Sequence, residues 1–334
     1  MDRDEGGPAA ALVRLYRPRV ATVVVGTGFA GALHVEALRR LDIEVAAAFG
    51  SSGNFEAALA DPDVNFVHLA TPNHLHLGQA RAALTAGKNV VCEKPLARTS
   101  EETAELVRLA RESGLVAATC FNLRFYPQCQ EARTRDLGEV RHVHGSYLQD
   151  WLALPDDTNW RVDPELGGEL RVVGDIGSHW LDLVQFVTGL RIESVCADLV
   201  TFVPGRRTED AANVLIRFEG GARGSMVISQ VSQGRKNALS FQVDGSRGSL
   251  AWSSERPDDL WLGHRERADE VLPRGRGYLP PGHIEGYADT FRHCFEAIYG
   301  GGEYPTFADG HAATLIGDAI AESHRERRWV VVGS

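Results

Sequence analysis

Arg19–Leu41, RVATVVVGTGFAGALHVEALRRL, decides the fold of this 334-residue chain. Val20 to Val25 is rich in β-branched residues and shows no polar–apolar alternation. Such a run suits a parallel strand buried on both faces. Gly26-Thr27-Gly28-Phe29-Ala30-Gly31 follows, and helix-forming residues continue to about Leu41. Three glycines at that spacing are a weak signal alone. Between a buried strand and a helix they predict a dinucleotide-binding turn. Gly26 allows the tight turn, Gly28 lets a pyrophosphate approach, and Gly31 lets helix pack on strand. The free N–H groups of the helix start would then face the phosphates. This places Gly26, Thr27, Gly28, Phe29 and Ala30 at a cofactor.

The same alternation continues downstream. IEVAAAF (43–49), NFVHLATP (65–72), NVVCEKP (89–95) and LVAATCFN (115–122) read as strands. GQARAALTAG (78–87), closed by Gly87, and SEETAELVRLARESG (100–114), with a capping start at Ser100, read as helices. Strands alternating with helices predict a doubly wound parallel sheet. Between the second strand and NFVHLATP lies only GSSGNFEAALADPD (50–63). That length holds one short helix, around Phe55 to Ala60, so an edge strand and a crossover helix are expected to be missing or abbreviated. A carboxylate for the ribose 2′-hydroxyl is also absent after Phe49, as is an arginine for a 2′-phosphate. Ser51 and Ser52 are the remaining hydrogen-bonding candidates, and NAD versus NADP stays open.

After about Leu123 the texture changes. VRHVHGSYLQDW (140–151), IESVCADLVTFV (192–203), AANVLIRFE (211–219), ARGSMVISQVS (222–232) and NALSFQVDGSRGSLAW (237–252) are strand-like and follow one another. Turn signals such as Glu219-Gly220-Gly221 and Asp244-Gly245 separate them. A large, mostly antiparallel open sheet is expected, with helices at 283–301 and 307–327 closing the chain. The expected organisation is a loose leader over 1–17, with at most a helical turn, a dinucleotide-binding domain over 18–123 and a substrate and oligomerisation domain over 124–334.

Apolar residues make up 43% and charged residues 24% of the chain, ordinary globular values. The formal charge is −10, and no basic patch stands out, which argues against a nucleic-acid partner. Cys92, Cys120, Cys129, Cys196 and Cys294 are odd in number and share no metal or disulfide spacing. Free thiols in a reducing cytoplasm are expected. No run of about 18 apolar residues occurs, so no membrane span is expected.

Two motifs outside the glycine turn carry chemistry. CEKPLA (92–97) puts Glu93 and Lys94 at the C-terminal end of a parallel strand, where open α/β sheets bind ligands. The chain has three lysines, Lys88, Lys94 and Lys236, against many arginines. A lysine in such a composition points to a need for an ammonium group. GDIGSHWLDL (174–183) sets Asp175, His179 and Asp182 on one stripe of a starting helix. Ile176, Trp180, Leu183 and Val187 form the neighbouring apolar stripe that docks it. The polar stripe fits a cap with solvated surface, a metal site or a proton-handling site, and Asp175 alone fits a helix cap.

His74 and His76 lie two apart on a loop without a third ligand, and His142 and His144 share one strand face. The former carry no metal pattern, and the latter read as sheet surface. Asn122, Arg124 and Tyr126 fall at the domain junction, a usual ligand position. Trp151, Asn159, Trp160 and Arg161 supply the aromatic and hydrogen-bonding groups that sugar faces need.

In this order, VVVGTGFAG (23–31), ATPNHLH (70–76), CEKPLA and GGELRVVGDIGSHWLDL (167–183) resemble the glucose–fructose oxidoreductase / inositol dehydrogenase / MocA family. The resemblance covers nearly all of the chain from about Arg19. It implies a Rossmann domain followed by an α/β domain with a large open sheet. It implies a Lys–Asp–His catalytic group, which falls on Lys94, Asp175 and His179, and a loop near the nicotinamide that carries Thr71, Pro72, Asn73 and His76. YLQDWL (147–152), NWRVD (159–163) and GHIEGY (282–287) further resemble levoglucosan- and glycoside-oxidising sugar dehydrogenases. The short segment after Phe49 departs from the family.

The expectation is therefore an NAD(P)-dependent dehydrogenase or reductase acting on a secondary hydroxyl or ketone of a sugar, glycoside or cyclitol. It is expected to be cytoplasmic and without a metal, and to form a homodimer or homotetramer. In it His179 is the general base, and Asp175 fixes its tautomer or holds a substrate hydroxyl. Lys94 hydrogen-bonds the reacting oxygen. The alternative is a cofactor-impaired or non-enzymatic nucleotide- or sugar-binding relative of the same fold.

Overall fold

The computed structural model describes residues 20–51, 53–275, 277–280 and 282–333. The leader expected over 1–17 and the candidate Ser52 lie outside the described residues. β1 (Ala21–Val25) is buried along its whole length, as a strand covered on both faces must be. It runs into α1 (Phe29–Arg40), and then β2 (Glu44–Phe49), α2 (Phe55–Ala60), β3 (Val64–Leu69), α3 (His76–Thr85), β4 (Asn89–Cys92), α4 (Ser100–Ser113) and β5 (Ala117–Thr119) follow.

The five strands form one parallel sheet in the order β2-β1-β3-β4-β5. The short segment after Phe49 holds only α2, capped by the Asn54 side chain, which accepts from Ala57 N–H at 3.1 Å. β2 is thus the sheet edge among the described residues, and its burial alternates, as an edge strand's does. One detail differs from the sequence reading. The cap of α4 is Thr99, not Ser100: Thr99 is extended, and its hydroxyl oxygen accepts from Glu102 N–H.

Two glycines are sterically required at the first turn. Gly26 has φ +101°, and a Cβ there would sit 2.3 Å from the carbonyl oxygen of Ala70. At Gly31 a Cβ would sit 1.8 Å from the Gly26 carbonyl oxygen. Gly28 is different, since a Cβ there would meet nothing within 4 Å.

The second sheet has nine strands. They are β6 (Val140–Leu148), β7 (Ile192–Val200), β8 (Ala211–Phe218), β9 (Arg223–Ser229), β10 (Ala238–Gly245), β11 (Ser249–Ser253), β12 (Asp259–Gly263), β13 (Glu270–Pro273) and β14 (Val330–Val331). Their order is β13-β12-β11-β10-β6-β9-β8-β7-β14. Only β6 and β9 pair in parallel; the rest of the sheet is antiparallel. β12, β13 and β14 were not anticipated, because they are short and flanked by charged residues.

α5 (Pro127–Arg133), α6 (Ser178–Thr188) and α8 (Phe307–Glu326) cover one face. There Ile176, Trp180, Leu183 and Val187 sink into a core with Val143, Ile228 and Phe241, as the apolar stripe requires. Trp180 also donates from its indole nitrogen to the Ser240 carbonyl at 3.0 Å. α7 (Tyr287–Gly300) follows β13 in sequence yet packs on the parallel sheet: Phe291, Cys294, Phe295 and Ile298 join Val24, Ala37 and Leu38 in one cluster. The chain's late segment thus stitches the two sheets together. No described helix is long and apolar enough to cross a membrane, and the five cysteines are free thiols.

Candidate active site

Between the C-terminal ends of the parallel strands and the second sheet lies a cleft of about 830 Å³. Gly26 to Ala30, Gly50 and Ser51 line one end. Thr71, Pro72, Asn73, Glu93 and Lys94 line the middle, and Trp151, Asn159, Trp160, Arg161, Asp175 and His179 line the far end.

At the first end α1 begins at Gly28 with no side-chain cap and no acid in its first turn. Its N–H groups are left for an anion, and the space beside Gly28 is open. This donor set fits a dinucleotide's phosphates. β2 runs out into Gly50 and Ser51, so among the described residues neither an acid nor an arginine lines the cleft directly after β2. Phe29 is 75% exposed and stacks toward Tyr287, with ring centroids 6.2 Å apart.

Lys94 follows β4 and is joined to Pro95 by a cis peptide bond. Its Nζ donates to the carboxylate of Asp175 at 2.9 Å and to the backbone carbonyl of Asp175 at 2.7 Å. The same carboxylate accepts from Arg161 Nε at 3.1 Å and from Gln230 Nε2 at 2.8 Å. Burial pushes the Asp175 carboxyl up. The Arg161 and Lys94 charges, with the Lys94 and Gln230 hydrogen bonds, overcome this and hold it far below the usual range. Gln230 is itself fixed, because its carbonyl oxygen accepts from Arg171 in a buried polar network.

His179 is 3% exposed, and its ring edge faces Phe121. Its Nδ1 is buried without a partner. Burial first, and then the Lys94 cation, push its pKa down to about 3. The imidazole is therefore neutral across the ordinary pH range, with one nitrogen free to accept a proton. No hydrogen bond joins Asp175 to His179, so the expected tautomer-fixing contact is not made; Asp175 organises Lys94 instead.

The polar stripe divides in space. Asp175 sits in a π-helical turn, Val173–Gly177, that precedes α6, and it faces the cleft with His179. Asp182 turns to Arg124, which donates to its carboxylate from Nε at 2.7 Å and from a second nitrogen. Arg124 also donates to Asp309 at 2.8 Å. Arg124 is thus consumed by two carboxylates at the junction and does not reach the cleft.

Two neighbours are corrected with it. Asn122 is buried and donates to the Thr290 hydroxyl at 2.7 Å, while Tyr126 is buried against Trp252. His76 also lies behind the cleft rather than in it. Its ring nitrogens are 2.9 and 2.8 Å from the carbonyl oxygens of Pro95 and Thr71, so it ties together the two loops that carry Lys94 and Pro72. Asn73 lines the cleft and donates to the Gly167 carbonyl at 2.8 Å. His142 and His144 lie on the uncovered face of the second sheet.

Among the residues of the cleft wall that the sequence did not mark as site residues are Tyr147, Gln149, Asn237, Tyr287 and Phe291. Tyr147 donates to the Asn237 side chain at 2.7 Å, and Trp151 donates to Gln149 at 2.7 Å. The stretch YLQDW held a signal for two of them, since Trp151 was already singled out there. Gln230, which anchors Asp175, carries no local signal.

Comparison with known proteins adds a lineage to this geometry. The family model described as "Oxidoreductase family, NAD-binding Rossmann fold" (GFO/IDH/MocA) matches residues 41–121, and that of the GFO/IDH/MocA C-terminal domain matches 131–251. Levoglucosan dehydrogenase of Pseudarthrobacter phenanthrenivorans is 33% identical over 344 residues, covering 90% of this chain and 87% of that one. A levoglucosan dehydrogenase solved in complex with NADH and levoglucosan superimposes with a TM-score of 0.84 at 30% identity, over 94% of this chain and all of that one. An inositol dehydrogenase homolog from Azotobacter vinelandii, complexed with NAD+, gives 0.87 at 28% identity over 95% and 98% of the two chains.

Proposed function

Because the chain belongs to the GFO/IDH/MocA family of NAD-binding oxidoreductases, we propose that it moves a hydride between a nicotinamide and a secondary hydroxyl or ketone of a sugar, glycoside or cyclitol. One observation carries this reading. Lys94, just after β4, meets Asp175 and His179, at the start of α6, in one cleft, and the imidazole there is kept neutral.

The bound cofactor supplies the hydride acceptor. Gly26 to Ala30, Ser51, the Thr71–Asn73 loop and Glu93 are the residues that would hold it. The Lys94 ammonium donates a hydrogen bond to the reacting oxygen and stabilises the charge that grows there as the O–H bond breaks. Neutral His179 accepts the hydroxyl proton. Asp175, held by Arg161 and Gln230, fixes where Lys94 points. Trp151, Asn159, Trp160 and Arg161 face the rest of the sugar; the guanidinium of Arg161 lies 4.3 Å over the Trp160 ring, which presents a flat wall to a pyranose or cyclitol.

The proposal includes a homodimer or homotetramer. It is supported by the uncovered face of the nine-stranded sheet, where Leu215 and Val227 are 53% and 43% exposed. A cytoplasmic location is also part of it, supported by the free thiols.

The test is cofactor reduction by the purified protein with levoglucosan, glucosides and inositols, using NAD+ and NADP+ in parallel. Reduction with at least one of these polyols is expected, and the kcat/KM ratio between the two cofactors should stay below about a hundredfold, because no charged group marks the ribose. A protein that binds NADH saturably yet reduces neither cofactor with any polyol would overturn the proposal.

A further inference from the structure

Polar groups continue behind the cleft. Glu93 closes β4 with its carboxylate at the cleft wall, and one oxygen accepts from the Lys94 backbone N–H at 3.2 Å. Its other oxygen lies 3.0 Å from His34 Nε2 on α1. His34 Nδ1 lies 2.9 Å from His68 Nδ1 on β3. His68 Nε2 lies 2.9 Å from the Tyr299 hydroxyl on α7, which lies 2.9 Å from the Thr22 hydroxyl on β1. Both histidines are fully buried, with Phe295 at the edge of each ring, while Tyr299 is only half-buried. The chain of contacts thus runs from the cleft, within the layer between the parallel sheet and α1 and α7, to Thr22 near the start of β1.

A contact between two imidazole nitrogens holds one proton, which makes the protons of this chain countable. With Glu93 a carboxylate, His34 Nε2 must carry a hydrogen. In one arrangement both rings are neutral: His68 Nδ1–H donates to His34, and the Tyr299 hydroxyl donates to His68 Nε2. In the other the pair carries one proton more: His34 donates to both Glu93 and His68, and His68 Nε2–H donates to the Tyr299 oxygen. Every contact is satisfied in both, and the two differ by a single proton exchanged at the Tyr299 end.

The surroundings set where that proton resides. Burial draws His34 down, but hydrogen bonds with Cys120 and Glu93 outweigh it and push it up to about 9. Burial and the neighbouring His34 hold His68 well below its ordinary value. Lys94 and His179 also face Glu93, as do His76 from α3, Cys92 from β4 and Tyr287 from α7; Cys120 faces His34, with Cys294 behind it. Burial draws His179 and His76 down and pushes the Cys92 and Cys120 thiols up. The carriers of charge are Glu93, Lys94 and the His34–His68 pair.

We propose that the His34–His68 pair is a one-proton store that answers the charge of the nicotinamide ring, protonated in the free enzyme and beside the neutral reduced ring, and emptied through Tyr299 when the cationic oxidised ring occupies the cleft. This rests on reading the cleft as the nicotinamide site. The ledger of charge closes over one oxidation. The hydride removes the ring's positive charge, the substrate's hydroxyl proton leaves by His179, and the store regains one proton from solvent. The charge beside Glu93 is the same before and after. His34 and His68 are positioning residues here, since they touch Glu93 and not the substrate.

Calorimetric titration of the whole protein near pH 8, in buffers of different ionisation enthalpy, counts the protons. Binding of NAD+ should release at least about half a proton more than binding of NADH, because a group with pKa near 9 is mostly loaded at that pH. The affinity for NAD+ should rise between about pH 7 and 9, while that for NADH stays flat. His34→Gln and Tyr299→Phe should each cut the difference below about 0.2 proton and leave NADH affinity within about threefold. Tyr299→Phe decides alone if the His34 variant does not fold. Equal proton counts for the two cofactors in the native protein overturn the store. So does a release undiminished in the variants, which would place the proton outside the His34–His68 pair. If neither cofactor binds, or Glu93→Gln leaves both affinities unchanged, the reading of the site itself fails.

Discussion

Asp175→Asn is the sharpest test of how the cleft works. The substitution keeps shape and removes one charge. In the native protein that carboxylate accepts from Lys94 at 2.9 Å, Arg161 at 3.1 Å and Gln230 at 2.8 Å. Side-chain exposure is 13% for Asp175, 10% for Lys94 and 31% for Arg161, so the cluster is desolvated but not sealed. Removing one member of a fully buried pair costs about 3–5 kcal/mol. Partial exposure of Arg161 lowers this, and we expect about 2–3 kcal/mol of lost stability.

The catalytic effect should be graded. Lys94 retains its 2.7 Å bond to the Asp175 backbone carbonyl, so the ammonium is loosened and not released. Asp175→Asn should therefore slow hydride transfer by about 10²-fold, and Lys94→Ala by more, within the range that a misplaced catalytic group commands. The sign of the pH dependence also follows. A carboxyl held below its unfolded pKa contributes stability above about pH 4, and that contribution disappears as pH falls further. The stability gap between native protein and variant should thus shrink below about pH 4. Urea unfolding across pH and single-turnover hydride transfer measure the two effects. Lost stability with an unchanged transfer rate would show that the cluster only holds the fold, and the reasoning would be refuted.

Three further outcomes are expected. His179→Ala should lower kcat by about 10²–10⁴-fold, and the pH profile of kcat/KM in the native enzyme should show no inflection near pH 6.5, since His179 titrates near 3; an acid limb at 6.5 that vanishes in the variant would contradict the buried, Lys94-facing ring. Gly28→Asp should leave the fold intact and weaken NAD(H) binding by several kcal/mol, whereas Gly26→Ala should destabilise the fold, because the first Cβ has room and the second meets the Ala70 carbonyl; melting and NADH fluorescence titration separate the two. Arg124→Ala should cost about 3–5 kcal/mol by stranding Asp182, with KM for the sugar within about twofold, and a large KM change at native stability would restore Arg124 to the substrate wall.

Much of this protein was legible in its sequence. The β-branched run before Gly26 fits a strand buried on both faces, and the glycine turn and helix after it make a parallel sheet the setting it suits. The dozen residues after Phe49 are too few for a further strand and crossover, whatever the rest of the chain does. Lys94 at a strand end and Asp175 with His179 at a helix start are local facts, because chain geometry places them. What lies across from a residue is not local. The stripe of Asp175, His179 and Asp182 looked single because helical periodicity gives a direction and no neighbour. Tertiary packing put Lys94 opposite the first two and Arg124 opposite the third. The same limit hid Gln230, 55 residues from the carboxylate it holds, and His34 and His68, whose partners come from β4 and α7. Buried polar groups must find partners, and which partners they find depends on how the sheets and helices close on one another. Periodicity in one segment fixes the face a side chain presents; only the folded chain brings up the group that meets it.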